Sequence, residues 1–246
     1  MDDECTQWES LAEEFLEAEN YYQAANQFKN AASCYLDRVL EITKKAAEYY
    51  HMHAEASLGK DDHKAAATSF MEAATQYRQV SDFSTALTLY ENAAKEALLE
   101  KPEMTETAAQ AYLWAAYSCH KTGNTEYFLT CADNMGKLYD KAADKAIDDG
   151  NAERAVINLS LAAIGFATIE KMKKAKERIE KAKKIITKTR WDWLETLLSF
   201  SEALAENNLD SADDMLKTFK EEEAIEQVMS ACLNIRTEIE KKKRKN

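Results

Sequence analysis

Glycine and proline are nearly missing from this chain. Its 246 residues include 5 Gly and 1 Pro, where average usage would supply about 17 and about 12. Hairpin turns need Gly, Asn or Pro every few residues, so an all-β sandwich or barrel is excluded. No Gly-rich loop follows a β-branched run, which excludes a Rossmann or P-loop nucleotide site. A nearly all-helical chain with short connections remains, long enough to bury roughly three quarters of its unfolded surface.

One pattern recurs along the sequence: two small residues, a large apolar residue, two small residues, then usually an aromatic. The copies are Ala24, Ala25, Phe28, Ala31, Ala32 and Tyr35; Ala66, Ala67, Phe70, Ala73, Ala74 and Tyr77; Ala86, Leu87, Tyr90, Ala93, Ala94 and Ala97; and Ala155, Val156, Leu159, Ala162, Ala163 and Phe166. Steps of three and four place each set on one helical face. Alanine lets helix axes approach closely and the large residues fill the gaps, as in the stacked helix pairs of an α-solenoid.

The breaks support this. Glu19-Asn20, Gly59 with Asp61-Asp62, Ser81-Asp82, Lys101-Pro102, Gly123-Asn124, Gly150-Asn151, the region of Glu170, Thr187–Thr189 and Asn207-Asn208 read as turns, with Asp as helix N-cap. About twelve antiparallel helices follow, longer than the usual helix but suited to hairpin repeats. The expected fold is all-α: one continuous right-handed superhelix over 1–240, with hairpin repeats over 1–190, a closing helical bundle over 191–240 and a basic tail at 241–246.

Residues 22–35 (YQAANQFKNAASCY) and 62–77 (DHKAAATSFMEAATQY) resemble the tetratricopeptide-like helices of the soluble NSF attachment protein (SNAP) family. Residues 204–219 (LAENNLDSADDMLKTF), followed by the helix 229–239, resemble that family's closing bundle. The resemblance covers roughly residues 10–240. Aligned this way, the chain starts inside the family's second or third helix, without its apolar membrane-touching loop. Lys241–Asn246 then stands where the family carries an acidic tail. The resemblance implies a non-enzymatic adaptor in membrane trafficking. Such an adaptor binds a SNARE-like coiled-coil bundle and links it to an NSF-like AAA disassembly ATPase. The alternative is a tetratricopeptide-like scaffold or obligate structural subunit of a larger intracellular assembly.

Net charge is −12, unevenly spread. Residues 1–100 carry 8 basic and 19 acidic side chains, or −11, whereas 171–190 carry 10 and 2, or +8. An acidic surface argues against nucleic acid as partner. No basic n-region with an apolar h-region opens the chain, and no apolar run spans a membrane. A cytoplasmic monomer with peripheral membrane contact is the expectation. Five widely spaced cysteines without a CxxC pair read as reduced, mostly buried thiols.

Candidate chemistry is sparse. His51 and His53 stand two apart, about 200° around a helix, and cannot share a metal. The neighbours Cys119 and His120 match no catalytic pattern. Asp61-Asp62 and Asp210–Asp214 read as helix starts, and Glu221–Glu223 as a charged first turn. Neither a metal, a cofactor nor an enzymatic activity is expected. Trp191, Leu194, Leu198 and Ser201 align on one helical face and read either as core packing or as a partner-facing aromatic anchor.

The expected partner site is basic. Lys171, Lys174, Arg178, Lys181 and Lys188 fall within about 100° of arc beside an apolar stripe of Met172, Ala175, Ile179, Ala182 and Ile186. They read either as solvated or body-neutralising charges, or as a docking strip for an acidic helical bundle. The terminal Lys241, Lys242, Lys243, Arg244 and Lys245 read as a frayed tail, as a contact to anionic lipid or, on composition alone, as a nuclear signal.

Overall fold

A computed structural model describes residues 2–35 and 38–245. Among these residues there are twelve α-helices and no strands. They are α1 Asp2–Glu17, α2 Tyr21–Cys34, α3 Val39–Leu58, α4 His63–Gln79, α5 Phe83–Leu99 and α6 Thr105–Thr122, then α7 Thr125–Asp148, α8 Ala152–Thr168, α9 Met172–Ile186, α10 Trp193–Ala205, α11 Leu209–Thr218 and α12 Glu223–Lys243. None is long and apolar enough to cross a membrane.

The tight connections share one design. A left-handed residue ends one helix, and the next residue caps the following helix. Glu19, Asp61, Ser81, Gly123, Gly150, Glu170 and Asn207 hold the left-handed position, with φ between 55° and 78°. The amide of the residue after it reaches five positions back, as in Asp62 N–H to Ser57 O at 3.0 Å and Asn151 N–H to Ala146 O at 2.8 Å. These are Schellman closures. The side chains of Asn20, Asp62, Asp82, Asn124, Asn151 and Asn208 then each accept from the amide three residues on, Ala65 at 2.9 Å for Asp62. Lys171 occupies the capping place after Glu170 and supplies no such bond.

The helices form two compact units, Met1–Gly123 and Asn124–Asn246. In the first, each helix packs on the next in chain order, from α1 to α6. The repeated alanines make this stacking close: Ala24, Ala25, Ala31, Ala66, Ala67, Ala73, Ala74, Ala93 and Ala94 are fully buried. Phe28 is 3% exposed and stacks on Tyr49 at 5.4 Å. Phe70 is 2% exposed. Burying such a ring contributes roughly 1.5–3 kcal/mol.

The second unit departs from this linear order. α8 contacts α7, α9, α10 and α12, and every residue from Asn158 to Ile169 is buried. Two mid-helix glycines bring α7 and α8 together. A Cβ on Gly165 would lie 3.2 Å from the Gly136 nitrogen, and one on Gly136 would lie 2.8 Å from Cε1 of the buried Phe166. α10 and α12 pack against α8, fastened by Arg236 of α12. That side chain is 1% exposed and donates to Glu170 (2.9 Å), Asn207 (2.6 Å) and Glu240 (3.2 Å). It thereby ties two left-handed turn residues to the last helix.

One core expectation fails. Leu194, Leu198 and Ser201 are buried, but Trp191 is 49% exposed. α10 begins at Trp193, so Trp191 precedes the helix and does not share its face. It stacks on Trp193 at 5.6 Å instead, and Trp193 meets Phe219 edge-on at 5.9 Å.

Candidate functional site

α9 is the most basic element and its rotation is fixed by what surrounds it. Ala175, Ile179 and Ala182 are buried, seating the helix on α8 and α10. On one flank stands α7, whose Asp133, Asp140 and Asp144 recur at steps of seven and four. They meet Lys171 at 2.6 Å, Arg178 at 2.5 Å and Lys181 at 2.5 Å. The partners are separated in sequence by 38, 38 and 37 residues. That near-constant offset means α7 and α9 run in the same direction with α8 between them. On the other flank Lys183 reaches Glu202 of α10 at 2.6 Å.

The ladder is strongest at its centre. Arg178 donates through two nitrogens to both oxygens of Asp140, a planar match that fixes orientation as well as charge. Its guanidinium and the Lys174 ammonium lie 5.4 and 5.0 Å from the centroid of Phe166. The hydrogen bond to Asp140 raises the Arg178 pKa above its ordinary value. At Asp133, burial pushes the carboxyl up, but the ammonium groups of Lys137 and Lys171 outweigh it and hold the group below its ordinary value. The Lys171 and Lys181 pairs are 43% exposed on the lysine side and are worth roughly 0.2–1 kcal/mol each.

Four of the five residues expected to form a docking strip therefore face α7. Lys171, Lys174, Arg178 and Lys181 share one arc, as their spacing requires, and that arc is occupied by the protein's own aspartates. Lys188 lies beyond the end of α9, exposed and with no ion pair to any described residue.

The outward face carries a different set. Lys173, Lys176 and Lys184 fall within about 80° of one another around the helix, are exposed, and make no ion pair among the described residues. Between them lie Glu177 and Glu180, neutralised by Arg178 and Lys183. These three lysines were missed in reading the sequence. The signal that separates them is the matching acidic register at 133, 140 and 144.

The C-terminal cluster divides as well. Lys241, Lys242 and Lys243 complete α12, with Arg244 and Lys245 in the turn after it. Lys243 pairs with Glu170 and Glu240. Lys241 and Arg244 line an open cleft of about 480 Å³ between α11 and α12, shared with Asp210, Asp213 and Glu240. Lys242 and Lys245 are exposed.

Among the described residues no group of His, Cys, Asp and Glu could hold a metal ion. His53 bonds the Ser69 hydroxyl at 2.7 Å, and burial lowers its pKa. His51 is near Glu55 at 3.5 Å. Neither a protein-family model nor a curated protein matches this chain.

Proposed function

We propose that the chain is a non-enzymatic adaptor of the soluble NSF attachment protein type. It docks on an acidic helical bundle of the membrane-fusion kind and links that bundle to a hexameric disassembly ATPase. The observation that carries the docking part is the outward row Lys173, Lys176 and Lys184, cations without counterions among the described residues of a chain with net charge −12. Charge placed against a protein's own sign steers oppositely charged partners to that spot. The outermost of the three lysines lie eleven positions apart, about 16 Å along the helix, a length suited to a second helix laid alongside. Lys171, Lys174, Arg178 and Lys181 serve this face indirectly, because their ties to α7 fix which side of α9 points outward. The family resemblance supplies the class of partner. Lys241, Lys242, Arg244 and Lys245 add a weaker contact to anionic lipid, making the protein cytoplasmic and peripheral at membranes.

The test is association kinetics with an acidic four-helix coiled-coil bundle at low and high salt. Lys173→Glu/Lys176→Glu is expected to slow association several-fold, flatten its salt dependence and leave helicity unchanged. Lys174→Glu/Lys181→Glu is expected to loosen α9 from α7, visible as lower stability. An unchanged association rate at low salt in the first variant would remove α9 as the docking face.

A further inference from the structure

Arg78 stands in the last turn of α4 and is half-buried. Its guanidinium carbon lies 4.0 Å from the centroid of the Trp114 ring on α6. Its Nε donates to the Tyr90 hydroxyl of α5 at 3.1 Å. Tyr90 is fully buried, and its oxygen lies 3.2 Å from Thr75 Oγ1. Thr75 spends its only hydroxyl proton on the Met71 carbonyl at 2.9 Å. The Tyr90 hydroxyl therefore donates to Thr75 and accepts from Arg78. An aromatic ring and a one-way chain of hydrogen bonds thus hold this guanidinium in one place.

The terminal nitrogens of Arg78 carry the rest of its N–H donors, and they meet no acceptor among the described residues. Its counterparts differ. Arg38, Arg178 and Arg236 are also half-buried or buried, and each holds a carboxylate: Glu9 at 2.9 Å, Asp140 at 2.5 Å and Glu170 at 2.9 Å. The carboxylates nearest to Arg78 in sequence are engaged elsewhere. Glu72 meets Lys29 at 3.1 Å, and Asp82 accepts from the Thr85 amide and hydroxyl at 3.1 and 2.9 Å. Residues 1–100 carry 19 acidic side chains against 8 basic ones, so a counter-ion was the easy arrangement. A guanidinium drawn partly out of water without one is costly to the free protein.

We propose that Arg78 and Trp114 form a binding site for a carboxylate side chain on an acidic peptide segment of a partner. Two N–H groups of the unpaired fork take the two carboxylate oxygens side by side, a geometry that Arg supplies and Lys does not. The aromatic surface continues from Trp114 to Tyr117 at 6.0 Å and on to Phe83 at 6.2 Å. Tyr117 and Phe83 are half-buried and offer apolar contact to the next residue of the segment. The Lys121 ammonium, 5.3 Å from the Tyr117 centroid, adds positive potential at that rim. A partly desolvated Arg among aromatic rings is the composition of an interface hot spot. Because the guanidinium is already held, little rotamer freedom is lost on binding. The site lies wholly within the unit Met1–Gly123 and does not depend on the lysines of α9.

The experiment follows the Arg78 Nε–H and Trp114 indole N–H signals of the full chain by NMR during titration with a hexaglutamate peptide. Hexaglutamine is the neutral control. Hexaglutamate is expected to shift both signals saturably, and hexaglutamine to shift neither. Arg78→Lys keeps the charge and loses the fork, and should weaken the affinity read at Trp114 by roughly five-fold or more. Lys173→Glu/Lys176→Glu should leave the Arg78 shift as it is, which separates this site from docking on α9. Shifts confined to α9, an equal response to hexaglutamine, or wild-type affinity in Arg78→Lys would each overturn the proposal. If Arg78→Lys folds poorly, the wild-type Arg78 signal decides alone, and its failure to shift saturably refutes the site.

Discussion

Replacing Gly136 by alanine tests whether the α7–α8 crossing is as tight as described. Helix propensity alone favours the change, since alanine is better than glycine in a helix interior by about 1 kcal/mol. The packing opposes it. The new Cβ would stand 2.8, 2.9 and 3.0 Å from three carbons of the Phe166 ring, where ordinary contact begins near 3.4 Å. The ring must retreat by roughly 0.6 Å, the difference between those distances, or the helices must separate. Retreat is obstructed because Phe166 is 1% exposed and carries Lys174 and Arg178 against it. Overpacking of this kind costs about 1–3 kcal/mol. Setting that against the propensity gain gives a net destabilisation of about 1 kcal/mol. Gly59→Ala is the control, with the opposite sign. Its φ is −62° and the nearest atom to an added Cβ is Ala56 O at 3.5 Å, so about 0.5–1 kcal/mol of stabilisation is expected. Urea midpoints at constant m-value read both. If Gly136→Ala matches or exceeds wild type while Gly59→Ala behaves as stated, the close approach of α7 and α8 is refuted.

Phe28→Ala and Phe70→Ala should each lower stability by about 3–5 kcal/mol, the range for emptying a buried aromatic site; denaturant midpoints that barely move would mean the rings are not packed as described. Arg236→Ala should cost about 3 kcal/mol or more, because Glu170 and Glu240 lose a buried partner, and hydrogen exchange should rise first in α12. Several carboxyls are held below their ordinary values, among them Glu41 through Arg38, Asp133 through its lysines against the effect of burial, and Glu170 through Lys243 and then Arg236. A depressed folded pKa contributes stability that is present above the unfolded value, near 4.5 for Glu and 3.8 for Asp, and is lost as pH falls through the folded value. Urea midpoints should therefore drop on acidification below about pH 4. Glu91, raised by burial, works in the opposite sense.

Local chemistry was legible in the sequence, and distant partnership was not. The turns at Glu19-Asn20, Asp61-Asp62, Ser81-Asp82, Gly150-Asn151 and Asn207-Asn208 declare themselves because a capping Asn or Asp must follow the left-handed residue directly. The alanine stripes declare one buried face per helix because the period is a property of the helix alone. The arc holding Lys171, Lys174, Arg178 and Lys181 was equally visible. What occupies it depends on aspartates 37 and 38 residues upstream, brought alongside only when α8 folds back between them. Trp191 was misplaced for a local reason. The helical face was extended backwards through a residue that lies before the helix starts.

The two-residue turns also govern where this chain tolerates change. When one helix's closing bond and the next helix's cap fall on the same residue, no spare chain remains. A single inserted residue at Asp61-Asp62 would have to break either the amide bond to Ser57 or the cap on Ala65. Tags, protease sites or permuted termini placed there should be rejected. Residues 187–192, which carry exposed Lys188, Arg190 and Trp191, have slack to accept them. The molecule is in this sense jointed at few places, and an experimenter wishing to cut it, label it or splice another protein into it should work between α9 and α10.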